Sequence, residues 1–116
     1  MRCALLLAAA CAMAPVAAQI PPGETFPPEQ IKHGADTFSA YCTPCHGAQG
    51  KGNGPVSTKF VPPADLTNAD LQKARTDGYW QSYLSVGGAV MPSYGEALSA
   101  EERWHVVNFL RTLAQR

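Results

Sequence analysis

Two cysteines and a histidine share the short segment CTPCH at residues 42–46. The pattern C-x-x-C-H attaches c-type haem: each thiol adds to one vinyl group of the porphyrin, and the imidazole that follows can ligate the iron. The spacing suits this chemistry because one turn of helix brings Cys42 and Cys45 to one edge of the ring and His46 beneath its centre. The segment predicts one haem c bound through Cys42 and Cys45, with His46 as an iron ligand.

Three other interpretations of the cysteine pair stay open. A thioredoxin-like redox pair follows a β-strand, and no strand pattern precedes Tyr41. A structural zinc site takes four ligands, whereas the chain has no second C-x-x-C pair. A disulfide across three residues closes too short a loop to stabilise the fold much. The pattern as a whole favours haem attachment.

A glycine-rich run follows the histidine and ends at Pro55; its glycines are Gly47, Gly50, Gly52 and Gly54. Glycine permits positive φ and close backbone approach, so we expect this segment to follow the edge of the flat macrocycle. A mobile surface loop would have the same composition. We also expect a carbonyl near Pro55 to accept the proton on the second ring nitrogen of His46, which would fix the tautomer and orientation of the ring.

The predicted second iron ligand is Met91, in the segment GGAVMPSYG. The other methionines, Met1 and Met13, fall in the N-terminal leader described below. A buried methionine is ordinarily core, and His33 and His105 are rival ligands, but both histidines fall on predicted helices and are expected to face solvent. A thioether opposite an imidazole raises the reduction potential and leaves no open iron position, which suits electron transfer.

The periodicity predicts an all-α fold of about four helices with long loops around the haem. No alternating strand pattern occurs, and the unpatterned segment 47–66 is unusually long for a loop unless a cofactor organises it. Ser99 and Glu102 fit a capping box at the start of the last helix. Helices are expected from near Pro28 to Cys42, over 67–75, over 77–85 and from Ser99 onward.

The N-terminus has the pattern of a secretory leader. Arg2 precedes an apolar run over 4–13, and small residues at 16–18 fit a cleavage site. We therefore predict a signal peptide over 1–18, an extended lead-in over 19–27 and a domain over 28–116, located in the periplasm. An alternative makes Cys11 a lipidated N-terminus, in which case the protein would be attached to a membrane.

The segments CTPCHGAQGKGNGP, MPSYG and LSAEERWHVVNFLRTL resemble the class I cytochromes c, in particular small bacterial domains that also occur as haem subunits of oxidases and dehydrogenases. The resemblance covers nearly all of 28–115. It implies that Cys42 and Cys45 hold the haem, that His46 and Met91 are its axial ligands, and that the Pro55 carbonyl orients His46.

The resemblance also implies how the helices pack and what surrounds the haem. Gly34 and Phe38 of the first helix would cross Val106 and Phe109 of the last. The aromatic residues expected to line or roof the pocket are Tyr79, Trp80, Tyr94 and Trp104.

The predicted function is that of a monohaem electron carrier and not an enzyme. It would pass single electrons between a donor and an acceptor redox protein, with transient contacts at a haem edge near Ala48, Gln49, Val90 and Pro92. We expect a monomer and no nucleic-acid partner, because the formal net charge is zero and no basic face is present. The alternatives are a haem subunit of a periplasmic dehydrogenase or oxidase complex, and a haem c sensor in which a gas displaces Met91.

Overall fold

The protein is described from a computed structural model, which covers residues 27–57 and 62–114. In those ranges it has five helices and no strand, which confirms the predicted all-α class. The helices are α1 (Pro28–Tyr41), α2 (Thr43–His46), α3 (Ala69–Ala74), α4 (Asp77–Val86) and α5 (Ala100–Leu113). The four longer helices match the predicted ones. The predicted leader over 1–18, the Cys11 alternative and the lead-in up to residue 26 lie outside the described residues.

Local sequence signals explain where the helices begin. Pro28 occupies the first turn of α1, where proline costs no hydrogen bond. The Asn68 side chain caps α3 by accepting from two backbone amides, and the Thr76 hydroxyl caps α4 by accepting from Tyr79 N–H. Ser99 and Glu102 form the predicted capping box of α5.

The crossing of α1 and α5 forms the protein-filled half of the core. Gly34 lies directly against α5: a Cβ built on it would be 2.6 Å from the His105 carbonyl carbon and 2.8 Å from Phe109 Cβ. The rings of Phe38 and Phe109 pack 5.2 Å apart, centroid to centroid. The predicted crossing of these helices is therefore present. The buried apolar residues of the core are Phe38, Cys42, Leu66, Leu84, Val106, Val107, Phe109, Leu110 and Leu113.

Within the described ranges, none of the helices has the length and apolar character needed to cross a membrane.

Candidate haem site

A cavity of about 360 Å³ opens beside the α1–α5 crossing. Both cysteines, His46 and Met91 lie in its wall, so the fold brings the four predicted haem-binding side chains to one space. Most of the remaining wall is aliphatic or aromatic; it includes Phe38, Tyr41, Leu66, Leu71, Tyr79, Trp80, Tyr83, Leu84, Val90, Tyr94, Val106 and Leu110. The volume and lining are typical of a site for an apolar ligand.

Helix α2 sets the spacing of the cysteines and the histidine. Cys42 ends α1, since its backbone N–H donates to the Phe38 carbonyl at 2.8 Å, and it also begins α2, since its carbonyl accepts from His46 N–H at 2.9 Å. The predicted turn of helix through C-x-x-C-H is therefore present. Cys42 is buried and Cys45 is exposed, and both are free thiols.

Burial raises the pKa of the Cys42 thiol to about 11, with the nearby Cys45 as the second cause. At neutral pH the unreacted Cys42 is accordingly a neutral thiol, which can be buried in an apolar wall at little cost.

His46 is held by a backbone carbonyl, although not by the predicted one. Its Nδ1 lies 3.1 Å from the carbonyl oxygen of Ala64, and the predicted acceptor near Pro55 is wrong. Because a carbonyl can only accept, Nδ1 carries the proton and Nε2 keeps its lone pair. Burial lowers the pKa of His46, against the opposing effect of the Ala64 bond. Burial is the larger of the two effects, so the imidazole is neutral and the Nε2 lone pair is free to bind a metal.

The glycine-rich run packs on protein atoms and not along the cavity, which corrects the expectation for these glycines. Their backbone amides fold back over α2: Gly52 N–H donates to the His46 carbonyl at 2.7 Å and Gly54 N–H to the Cys45 carbonyl at 3.0 Å. A Cβ on Gly54 would lie 2.5 Å from the Thr43 carbonyl oxygen. Glycine is required here because the loop closes tightly over the end of α2 and so satisfies the carbonyls of that helix.

Met91 lies in the loop between α4 and α5. Gly87 ends α4 with a φ of 79°, a conformation that favours glycine. Gly88 N–H then donates to the Met91 carbonyl at 3.0 Å, and Tyr94 N–H donates to the Leu84 carbonyl at 2.8 Å. The Met91 side chain packs against the core cluster while lining the cavity. The loop is thus folded onto the end of α4.

The rival ligands His33 and His105 do not belong to the cavity wall. Their rings stack on each other at the α1–α5 crossing with centroids 5.7 Å apart. His33 is exposed and His105 is partly buried, as expected for helix residues that face away from the site.

Three of the four aromatic residues expected around the haem are in the wall, and one is not. Tyr79, Trp80 and Tyr94 line the cavity, whereas Trp104 packs against the core outside it. The Trp104 prediction is wrong because its position on α5 turns it away from the face that borders the cavity. Of the residues expected at the haem edge, Val90 and Pro92 line the cavity, while Ala48 and Gln49 do not.

The polar features of the wall fit a large apolar ring that carries carboxylates. Trp80 Nε1 is buried and has no hydrogen-bond partner among the described residues, and a buried donor is costly until it finds an acceptor. Arg75 also borders the cavity, with its guanidinium carbon 4.5 Å from the centroid of the Tyr79 ring. Haem has an apolar macrocycle, which would fill the apolar cavity. It also has two carboxylates, which would offer an acceptor to Trp80 Nε1 and a negative charge to Arg75.

Three contributors to the site were not predicted from the sequence. Ala64 acts through its backbone carbonyl, which leaves no signal in the sequence. Arg75, which directly follows α3, and Tyr83, on the face of α4 that borders the cavity, are both in the wall. For Tyr83 a signal was available, since it lies three to four residues from Tyr79 and Trp80 on the same helix.

Comparisons with known proteins agree with this fold and site. Residues 29–110 match the family described as cytochrome C oxidase, cbb3-type, subunit III. Over 88 residues the chain is 33% identical to the cbb3-type cytochrome c oxidase subunit FixP of Azorhizobium caulinodans, an alignment that covers 67% of this chain and 24% of FixP. The chain thus spans about a quarter of that relative's length.

A solved structure gives the same result for the fold. A chain of the Kuenenia stuttgartiensis reducing HAO-like protein complex superposes with a TM-score of 0.65 at 25% identity, covering 81% of this chain and 49% of that one.

An all-helical domain with C-x-x-C-H in the wall of an apolar cavity defines a c-type cytochrome, an electron-transfer protein whose cofactor is covalently bound haem c. The chain belongs to the family of subunit III of cbb3-type cytochrome c oxidases.

Proposed function

We propose that this protein is a periplasmic monohaem electron carrier in which Cys42 and Cys45 hold the haem and His46 and Met91 are its axial ligands. The observation that carries this proposal is that these four side chains line the same cavity. The periplasmic location rests on the leader pattern of residues 1–18.

His46 is prepared for iron ligation by its surroundings. The Ala64 carbonyl fixes the tautomer with Nε2 unprotonated, and a carbonyl on the far nitrogen makes the ligating nitrogen more basic. The glycine-rich run holds the backbone at His46 through the bond from Gly52 N–H to the His46 carbonyl. The imidazole therefore needs little rearrangement to bind.

Haem supplies an iron centre that exchanges one electron without breaking bonds in a substrate. The chain's part is to exclude water from the ring, to keep both ligands in place and to leave one edge open. Val56 and Val90 border the cavity and are each more than half exposed. They provide an apolar rim at which a partner protein could approach, as in small transient interfaces.

Replacing the methionine tests the ligand assignment. In Met91→Ala, the haem should stay covalently attached, the reduction potential should fall, and the weak near-red band of methionine-to-iron charge transfer should vanish from the oxidised spectrum. His33→Ala, on an exposed position outside the cavity, is the matched control and should keep both the band and the potential. An unchanged band in Met91→Ala would overturn the assignment.

The second candidate function is a haem subunit of a larger oxidase or dehydrogenase complex. The family match and the similarity to FixP favour it, since FixP is named as an oxidase subunit. In this case the partners would be permanent and the catalytic chain would be a different polypeptide.

Purification of the tagged protein from its own cells separates the two functions. A free carrier should elute at the size of the single domain, and mass spectrometry should find no partner in stoichiometric amount. A subunit should elute with larger chains in a fixed ratio. The same measurement reports the mature N-terminus and hence whether cleavage follows Ala18 or precedes Cys11.

A further inference from the structure

Arg103, in the first turns of α5, has its guanidinium directed at the loop that carries Met91. Its Nη1 donates to the Leu98 carbonyl at 2.6 Å and to the Gly95 carbonyl at 3.1 Å. A longer contact of 3.5 Å reaches the Tyr94 carbonyl. The side chain is partly buried, so these bonds to a charged group are little screened by water.

A second helix holds the guanidinium in place. Arg103 Nε donates to Gln81 Oε1 at 2.7 Å, and the Gln81 side chain in turn donates from Nε2 to the Ala100 carbonyl at 3.0 Å. Arg103 therefore joins α4, α5 and the loop between them. Lysine could not reproduce this arrangement, because it lacks the planar set of donors that a guanidinium presents.

Two sets of hydrogen bonds hold the second half of the loop. Residues 93–95 are tied to the end of α4: Ser93 Oγ donates to the Ser85 carbonyl at 2.6 Å, and Gly95 N–H donates to the same carbonyl at 3.1 Å. These bonds use donors of the loop. Arg103 instead engages carbonyls of the loop, one of which, that of Tyr94, also accepts from Leu98 N–H at 3.1 Å.

We infer that Arg103 is a positioning residue for Met91, which holds the α4–α5 loop in the conformation that keeps the thioether on the iron. The inference rests on the proposed axial role of Met91. Its basis is the placement of one guanidinium against three carbonyls of a single short loop, three to seven residues after Met91. Without those bonds the loop would open more often and expose the sixth iron position.

Competition with imidazole measures this effect in the haem-loaded protein. External imidazole binds only when Met91 is off the iron, so its apparent affinity rises in proportion to the open fraction. In oxidised Arg103→Gln, imidazole should bind about tenfold or more tightly than in the wild type, as expected from losing one or two bonds to a charged donor. Arg103→Lys keeps the charge, and its affinity for imidazole should lie between those of the wild type and Arg103→Gln.

Arg111 provides a matched control on the same helix. It also makes several hydrogen bonds: partly buried ones to Gln72, and exposed ones to Asp77 Oδ1 at 2.6 Å and to the Arg75 carbonyl at 2.6 Å. These contacts reach α3 and the start of α4, not the Met91 loop. Arg111→Gln should lower the free energy of unfolding while leaving imidazole affinity and the near-red band as in the wild type.

The outcomes decide the inference in either direction. Tighter imidazole binding in Arg103→Gln but not in Arg111→Gln supports it. Equal increases in imidazole affinity in both variants would mean a general loss of stability. An unchanged imidazole affinity in Arg103→Gln would mean that the loop keeps its conformation without Arg103. Either result overturns the inference. If Arg103→Gln yields no haem-loaded protein, the comparison of Arg103→Lys with Arg111→Lys decides in the same way.

The failure of this inference is distinguishable from failure of the proposed ligands. A wild-type protein without the near-red band would contradict Met91 ligation itself. A wild type with the band, together with Arg103 variants that bind imidazole like the wild type, would contradict the role of Arg103 alone.

Discussion

The α1–α5 crossing and the cavity beside it are two halves of one core, completed in different ways. At the crossing, side chains fill the space: Val107 and Leu113 are fully buried and Phe38 is 2% exposed. In the cavity, apolar side chains line a space of about 360 Å³ that the described residues leave open. Since exposed apolar surface costs about 25 cal/mol per Å², the second half depends on its cofactor for stability and the first does not.

The two halves also differ in how their backbones approach each other. At the crossing, one glycine, Gly34, lets two regular helices meet. Around the cavity, the short helix α2 carries His46 and an irregular loop carries Met91, and hydrogen bonds to single carbonyls hold both segments. At the crossing, few substitutions are therefore compatible with the close packing of the two helices. Around the cavity, the positions of the side chains depend on many polar contacts.

Removing both attachment points should have the largest effect. The double variant Cys42→Ser, Cys45→Ser, produced in cells able to mature cytochromes, should carry no covalently bound haem by mass spectrometry. By hydrogen exchange, the amides of 47–56 should lose protection while those at the α1–α5 crossing keep part of theirs, because local stability follows local burial. Cys3→Ser, in the predicted leader, is the control. An equal loss of protection in 47–56 and at the α1–α5 crossing would show that the crossing also depends on the haem for its stability.

A single methyl group at the crossing should have the next largest effect. In Gly34→Ala, the added Cβ would overlap the His105 backbone, and overpacking of this kind costs about 1 to 3 kcal/mol. Urea unfolding of the haem-loaded protein measures the loss. Gly78→Ala is the matched control, because its Cβ would meet only Thr76 Oγ1 at 3.9 Å; its stability should be unchanged or slightly higher. Equal stabilities for the two variants would contradict the close packing.

The features that could be predicted from the sequence are those with local causes. Pro28, Asn68 and Ser99 mark helix starts because a cap is made within a few residues, and the apolar face containing Gly34 and Phe38 follows from helical periodicity. The C-x-x-C-H segment predicted the cofactor because its chemistry depends on spacing alone. Each of these signals can be found within a short window of the chain.

The features that could not be predicted depend on contacts between distant segments. The bond from His46 to Ala64 spans eighteen residues and uses a backbone carbonyl, so the choice between Ala64 and Pro55 requires the loop path. Trp80 and Trp104 are both tryptophans on predicted helices, yet only Trp80 borders the cavity. For Arg103, no periodicity distinguishes an arginine that holds a loop from one that faces water.

Trp80 allows a finer test of whether the cofactor completes the cavity. In Trp80→Phe, the aromatic body stays but the unpartnered Nε1 donor is lost. If that donor pairs with a haem carboxylate, stability of the loaded protein should fall by about 1.5 kcal/mol, and the potential should fall because the carboxylate charge is less compensated. Trp104→Phe, outside the cavity, should keep the wild-type potential. If the wild type, Trp80→Phe and Trp104→Phe had identical reduction potentials, Trp80 would not donate to a haem carboxylate.

The start of α5 belongs to the crossing, and it should show the smallest and most specific effect. Ser99→Ala removes the cap and should cost about 1 kcal/mol. Hydrogen bonds from Ser99, from its backbone first and its side chain second, hold the pKa of Glu102 below the ordinary value of a glutamate. The folded state thus favours the carboxylate, so this contribution is complete above pH 4.5 and is lost as the pH falls through the lowered pKa.

The pH dependence separates this cap from the other acidic residues of the same turn. Below pH 4.5 the free energy of unfolding of the wild type should fall more steeply than that of Glu102→Gln, in which the titrating group is absent. Glu101→Gln, one residue earlier and outside the capping box, should keep the wild-type slope. Parallel curves for the wild type and Glu102→Gln would mean that the carboxylate adds nothing to the stability of α5, which would then rest on the Ser99 cap and on the packing at the crossing.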